Sequence, residues 1–253
     1  MLAILRIILI FIALVLIFCF SMLLCVVRPF HKNNVHDTAS MIGKVAYLLG
    51  IDVEIRRPKN LGKHGPMVYV ANHQNSYDIF TVSASLPKET VSIGKKSLKW
   101  IPLFGQMYWF TGNILIDRGN RAKAHGTIAS SAEKIKERNI SVWLFPEGTR
   151  SYGRGLLPFK TGAFHTAAMA EVPIVPVCVS NTHDMVKLNR WNNGKMIIEF
   201  LEPIEVKGTE RDYIRHLAND THALMLDKIK QLSDEAGHSF DNVLVETKKV
   251  ENV

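Results

Sequence analysis

His73 and Asp78 stand five positions apart in Asn72-His73-Gln74-Asn75-Ser76-Tyr77-Asp78, directly after the apolar run 67–71. An imidazole with a carboxylate to orient it is the base half of a catalytic triad. On one continuous helix, side chains five apart diverge by about 140°. The two can meet only if His73 lies in a strand-exit loop and Asp78 in the first turn of the next helix. The carboxylate then accepts the Nδ1 proton and leaves Nε2 free to take a proton from a hydroxyl. The chain holds no Gly-x-Ser-x-Gly elbow, so the expected nucleophile is a hydroxyl of the substrate. A His and an Asp at this spacing are common by chance, and what lends the pair weight is its company.

A second segment, Phe145-Pro146-Glu147-Gly148-Thr149-Arg150-Ser151, follows the apolar run 140–145. Pro146 and Gly148 force a sharp turn there, which places Glu147, Thr149 and Arg150 where amides and a guanidinium can face a ligand. Arg150 offers a planar fork of donors suited to a phosphate. The competing reading pairs Arg150 with Glu147 at a solvated turn. A third segment, Gly112-Asn113-Ile114-Leu115-Ile116-Asp117-Arg118, is a short apolar strand ending in an acid and a base, and taken alone a surface ion pair explains that ending more readily than a function does.

Taken together, these segments resemble the glycerolipid acyltransferase family, in particular its bacterial 1-acylglycerol-3-phosphate acyltransferases. Four blocks carry the resemblance in order: N-H-x4-D at 72–78, G-N-x-x-I-D-R at 112–118, F-P-E-G-T-R-S at 145–151 and V-P-I-V-P at 172–176. It extends over about residues 40–205. It implies transfer of a fatty acyl group from an acyl thioester, carried by coenzyme A or acyl carrier protein, to the free sn-2 hydroxyl of a lysophosphatidate. His73 and Asp78 would be catalytic, without an acyl-enzyme. Arg150 and Arg118 would hold the acceptor's phosphate, Glu147, Gly148 and Thr149 would shape that pocket, and Asn72 and Asn113 would belong to the substrate site. Lys95 is a further candidate for the oxyanion or the phosphate. Trp100, Phe104 and Trp109 are candidates for an acyl channel, although ordinary core packing accounts for them more readily. Another hydroxyl lipid as acceptor (glycerol 3-phosphate or a lysophospholipid) and a non-catalytic membrane adaptor remain alternatives.

The elements that must position these residues read as α/β. Short apolar strands recur near 53–56, 67–71, 90–94, 114–116, 140–145, 174–179 and 195–201, with helices at 122–138, 162–171 and 210–236. Several strands are apolar at every position, which predicts a mixed, mostly buried sheet flanked by helices, of the glycerol-3-phosphate acyltransferase-like kind. Pro173 and Pro176 bracket one strand and could place it near a sheet edge or bend, although simple strand punctuation accounts for them more readily. In the last helix, Leu217, Leu224, Ile229 and Leu232 mark the packed face.

Residues 7–27 form a run of ~21 residues without a charge, long enough as a helix to match the ~30 Å of a bilayer core. A cleaved signal peptide would begin similarly, but no small-x-small cleavage site follows, so the run reads as a membrane anchor. A more amphipathic helix is expected at about 35–50. The chain is thus expected to divide into an N-terminal membrane part at 1–50, an acyltransferase domain at 51–240 and a frayed tail at 241–253. Relatives of this kind pair two such helices in one leaflet, and the sequence permits either that or a span. Arg28, Lys32 and Lys44 after the run, against Arg6 and the amino terminus before it, favour a cytoplasmic domain. Cytosolic acyl donors favour the same side, which points to the cytoplasmic face of a bacterial inner membrane.

The formal charge of +8 and isoelectric point near 9.4 suit an anionic membrane and phosphate-bearing substrates. Nucleic acid is a poorer fit, because the basic residues are scattered and no DNA-binding signature occurs. Lys95, Lys96 and Lys99, then Arg118, Arg121 and Lys123, then Arg150, Arg154 and Lys160 could form a basic rim, with Lys123 and Arg154 read as solvated. The three cysteines and ten histidines show no disulfide or zinc pattern, so neither metal nor cofactor is expected.

Overall fold

The computed structural model describes residues 1–63, 65–116 and 121–240. Asp117, Arg118 and the expected tail at 241–253 lie outside them. The described strands are β1 (Ile51–Arg56), β2 (Val68–Ala71), β3 (Thr90–Lys95), β4 (Ile114–Ile116), β5 (Ser141–Leu144), β6 (Ile174–Val179) and β7 (Gly194–Phe200). They form one sheet in the order β1-β7-β6-β2-β5-β3-β4. From β6 to β4 all pairings are parallel, while β7 runs antiparallel to β6 and carries β1 parallel to itself. The expected mixed, buried sheet is what forms. β2 and β6 are buried at every position, which is why their sequences are apolar without alternation.

The helices are α1 (Leu2–Val27), α2 (Asn34–Gly43), α3 (Val45–Leu48), α4 (Asp78–Thr81), α5 (Phe104–Phe110), α6 (Arg121–Arg138), α7 (Gly162–Ala170) and α8 (Arg211–Glu235). Of α8, Ile214, Ala218, Met225, Ile229 and Leu232 are buried against the sheet. Leu224, expected on that face, is exposed, because the buried stripe runs through Thr221 and Met225 instead.

The prolines correct one expectation. Pro176 lies inside β6, an interior strand, and not at an edge. The β6 ladder with β7 begins only at Val177, so the missing N–H of Pro176 interrupts no pair. Its carbonyl still accepts the Leu201 N–H at 2.9 Å.

The amphipathic helix expected at about 35–50 forms as two pieces, α2 and α3. At the end of α2, a Cβ on Gly43 would fall 2.5 Å from the Ala84 backbone, so glycine permits close approach to the turn at 82–85 that follows α4. The N-terminal helices therefore pack directly behind the element that carries Asp78.

Most of α1 is exposed, with large apolar side chains outward from Ile4 to Val27. Its buried residues, Arg6, Ser21 and Cys25, subtend only about 100° of the helix. Arg6 donates to the carbonyls of Leu188 (3.0 Å), Trp191 (2.9 Å) and Arg190, and Thr38 Oγ1 donates to Ser21 Oγ (3.0 Å). Arg6 near the start of α1 and Ser21 near its end are thus both fastened to the rest of the chain.

Candidate active site

Five parallel strands end at one edge of the sheet, and ligands in open α/β sheets sit outside such carboxyl ends. β2 and β5, paired Val68 to Val142, deliver their exit segments side by side. The two exits are laced together: Ser151 donates its N–H to the His73 carbonyl and Tyr152 to that of Gln74, each at 2.9 Å.

The sequence places His73 in the loop after β2 and Asp78 at the start of α4, and there they meet. Nδ1 of His73 lies 2.6 Å from Oδ2 of Asp78. The same oxygen accepts the Gln74 N–H at 2.7 Å and the Asn75 N–H at 3.2 Å. Asp78 is 4% exposed, so three donors hold a carboxylate that water barely reaches. The His73 ring stacks on Phe145, with centroids 4.2 Å apart and planes 19° from parallel. Clamped on one nitrogen and one face, the imidazole keeps Nε2 without a protein partner among the described residues. That nitrogen can accept a proton from a hydroxyl brought to it.

The Glu147 carboxylate is 3% exposed and is bonded to backbone N–H groups. Oε1 accepts the backbone N–H of His73 at 2.6 Å and Oε2 that of Leu157 at 2.9 Å. Burial pushes its pKa up to about 7, and the Asp78 charge adds to the rise, against the lowering by those two N–H bonds. Glu147 thus ties the turn after β5 to the backbone of His73.

Asn72 and Asn113 also hold structure. Asn72 accepts the Val179 N–H at 2.8 Å and donates to the Val179 carbonyl at 3.0 Å, which straps the β2 exit to β6. Asn113 accepts from Ser92 N–H (2.8 Å) and Oγ (2.9 Å) and donates to Thr111 Oγ1 (3.1 Å). Each thereby commits one amide hydrogen and its oxygen to the fold. Gln74, which the sequence did not single out, does similar work, bonding Ser180 O at 2.8 Å and Thr182 N at 2.7 Å.

The cations gather at the same edge. Arg150 reaches Tyr152 Oη through Nη1 at 3.2 Å, and its Nε is buried without a partner among the described residues. Gly148 has φ +73, and a Cβ there would lie 2.7 Å from Lys160 Nζ, so the ammonium sits over the turn. Lys160 read from sequence as rim, and the structure brings it onto the Gly148–Arg150 turn. Thr149 is exposed beside it. Lys95, exposed, ends β3 opposite Ile116. Trp100 and Trp109 are 76% and 49% exposed, so the core packing favoured for them does not occur.

A model of the acyltransferase family matches residues 52–180. The chain is 52% identical to the 1-acyl-sn-glycerol-3-phosphate acyltransferase of Salmonella typhimurium and 50% identical to that of Escherichia coli, in each case over 93% of this chain and 96% of the relative. Among solved structures it is similar to the 1-acyl-sn-glycerophosphate acyltransferase of Thermotoga maritima, with a TM-score of 0.63 at 25% identity, covering 79% of this chain and 81% of that one.

Proposed function

The chain belongs to the acyltransferase family, and on that premise we propose that it transfers a fatty acyl group from an acyl thioester to the free sn-2 hydroxyl of 1-acylglycerol 3-phosphate, giving phosphatidate. The observation that carries this reading is the clamped His73–Asp78 pair opening onto the same strand edge as Arg150 and Lys160. A base beside a cluster of cations suits an acceptor that is both a hydroxyl and a phosphate.

In the proposed reaction the acceptor's oxygen attacks the thioester carbonyl while Nε2 of His73 takes its proton. Asp78 holds the Nδ1–H tautomer and stabilises the imidazolium. When the tetrahedral intermediate collapses, the carbon–sulfur bond breaks and His73 returns the proton to the leaving thiolate. Arg150 and Lys160 hold the phosphate, with Arg118 assigned beside them on the family resemblance alone. Lys95, at the end of the neighbouring strand β3, is the cation available to the oxyanion. Glu147, Asn72 and Asn113 act as positioning residues.

Residues 1–50 are assigned to membrane association and 51–240 to acyl transfer. The apolar face of α1 enters the bilayer, and because its start and its end are both fastened to the rest of the chain it lies in a single leaflet, on the cytoplasmic face of a bacterial inner membrane. Incubating purified protein with lysophosphatidate, glycerol 3-phosphate or a lysophospholipid, each with acyl-coenzyme A or acyl-carrier-protein donors, tests the assignment. Preference for lysophosphatidate supports it, and turnover with only another acceptor replaces it.

A further inference from the structure

The loop between β6 and β7 has a feature that acyl transfer does not require. Trp191 is 76% exposed, and Lys187 and Arg190, also exposed, stand beside it. An indole of that size facing out on a loop needs an explanation, and so does the tight hold on the backbone beneath it. Arg6, the single charge in the apolar α1, is 5% exposed and gathers the carbonyls of Leu188, Arg190 and Trp191. Ala3 N–H donates to Asn189 Oδ1 at 3.0 Å. From the other side, buried Asn193 accepts the Lys187 N–H at 2.9 Å and donates to the Leu49 carbonyl at 2.6 Å. Gly50, at φ +71, leaves room for the Trp191 carbonyl where any side chain would collide with it.

The loop is therefore built rigidly onto the first two turns of α1. A guanidinium buried in an apolar helix is justified when its donors are filled, and here loop carbonyls fill them. A bilayer that takes in α1 from its first turns meets this loop at its border, where tryptophan and lysine or arginine side chains partition favourably. We propose that the Lys187–Trp191 loop is a second membrane contact, with Trp191 in the boundary between headgroups and acyl chains, Lys187 and Arg190 on anionic headgroups, and Arg6 locking the loop to α1. The proposal rests on the membrane reading of α1 given above, and charge complementarity and continuity with that helix select a lipid surface as the partner.

Depth-dependent quenching of a cysteine-linked fluorophore by brominated lipids tests it on the full-length chain in vesicles. Cys19, exposed on α1, is the built-in control, since Cys25 and Cys178 are buried. The loop is labelled through Asn192→Cys in a Cys19→Ala background. The expected result is loss of fluorescence at Cys19 with bromines deep in the chain and at position 192 with bromines near the headgroup. The loss at 192 should be larger in phosphatidylglycerol-containing vesicles than in phosphatidylcholine alone. Arg6→Gln should diminish the loss at 192 while leaving that at Cys19. Quenching at Cys19 with none at 192 overturns the loop contact and leaves the anchor standing. No quenching at either position overturns the anchor itself, and equal quenching at 192 in both lipids overturns the role of Lys187 and Arg190.

Discussion

The carboxylate of Glu147 accepts the backbone N–H of His73 at 2.6 Å, joining the turn after β5 to the base after β2. Its second oxygen accepts from Leu157 at 2.9 Å. An ionised carboxylate accepts both bonds, but burial disfavours its charge. The fold therefore keeps an acid buried that would be more comfortable neutral.

Stability should record that tension. The folded pKa of Glu147 is raised to about 7 from an ordinary 4.5, so the folded state binds the proton more tightly than the unfolded chain. Its contribution is fully present below pH 4.5, declines as pH rises toward 7, and is flat above. The decline amounts to roughly 3 kcal/mol for this group. Thermal unfolding of wild type and Glu147→Gln in detergent across pH 4.5–8 should show the wild type losing stability relative to the variant up to about pH 7. Parallel curves would show that Glu147 does not titrate in this range.

Arg150→Ala should separate binding from chemistry. Losing charge-assisted bonds worth roughly 1.5–3 kcal/mol should weaken use of the lysophosphatidate acceptor about ten- to a hundredfold, with little change in the KM for the donor. Steady-state kinetics with each substrate varied in turn will tell. Equal losses for donor and acceptor would indicate a damaged turn, and no loss would place the phosphate elsewhere.

The single-leaflet arrangement of α1 predicts sidedness. An epitope on the amino terminus should be reached by protease from the same face as the catalytic domain, because Arg6 ties the start of α1 to the loop before β7 and Thr38 ties its end to α2, which packs behind α4. Washing with 1 M salt, which shortens the Debye length to ~3 Å, should leave the protein in the membrane pellet. Protection of the terminus on the opposite face would establish a span, and release by salt would remove the anchor.

How much of this was legible in the sequence depended on whether the information was local. The strand, exit loop and helix that bring His73 to Asp78 are consecutive in residues 68–81, and their periodicity and spacing sufficed. Which way Glu147 faces was not legible, since its donors are set by pairing β2 with β5 and by the later Leu157. The same holds for Asn72, whose partner Val179 arrives on β6, and for Lys160, whose sequence position says nothing of its seat over Gly148. Pro176 looked like an edge signal because a missing donor is visible in sequence, whereas a ladder that starts one residue later is not. Trp100 and Trp109 looked like core because apolarity alone does not distinguish an interior from an outward surface.

The central claim is that the nitrogen His73 leaves open takes the acceptor's proton while Asp78 fixes the tautomer. The most direct test is the rate of phosphatidate formation from lysophosphatidate and an acyl thioester by His73→Ala and Asp78→Asn, with folding matched to wild type by circular dichroism and thermal unfolding. A folded His73→Ala should be slower by ~10²–10⁴-fold, and Asp78→Asn should also be severely impaired. Near-normal turnover by either folded variant would contradict the mechanism.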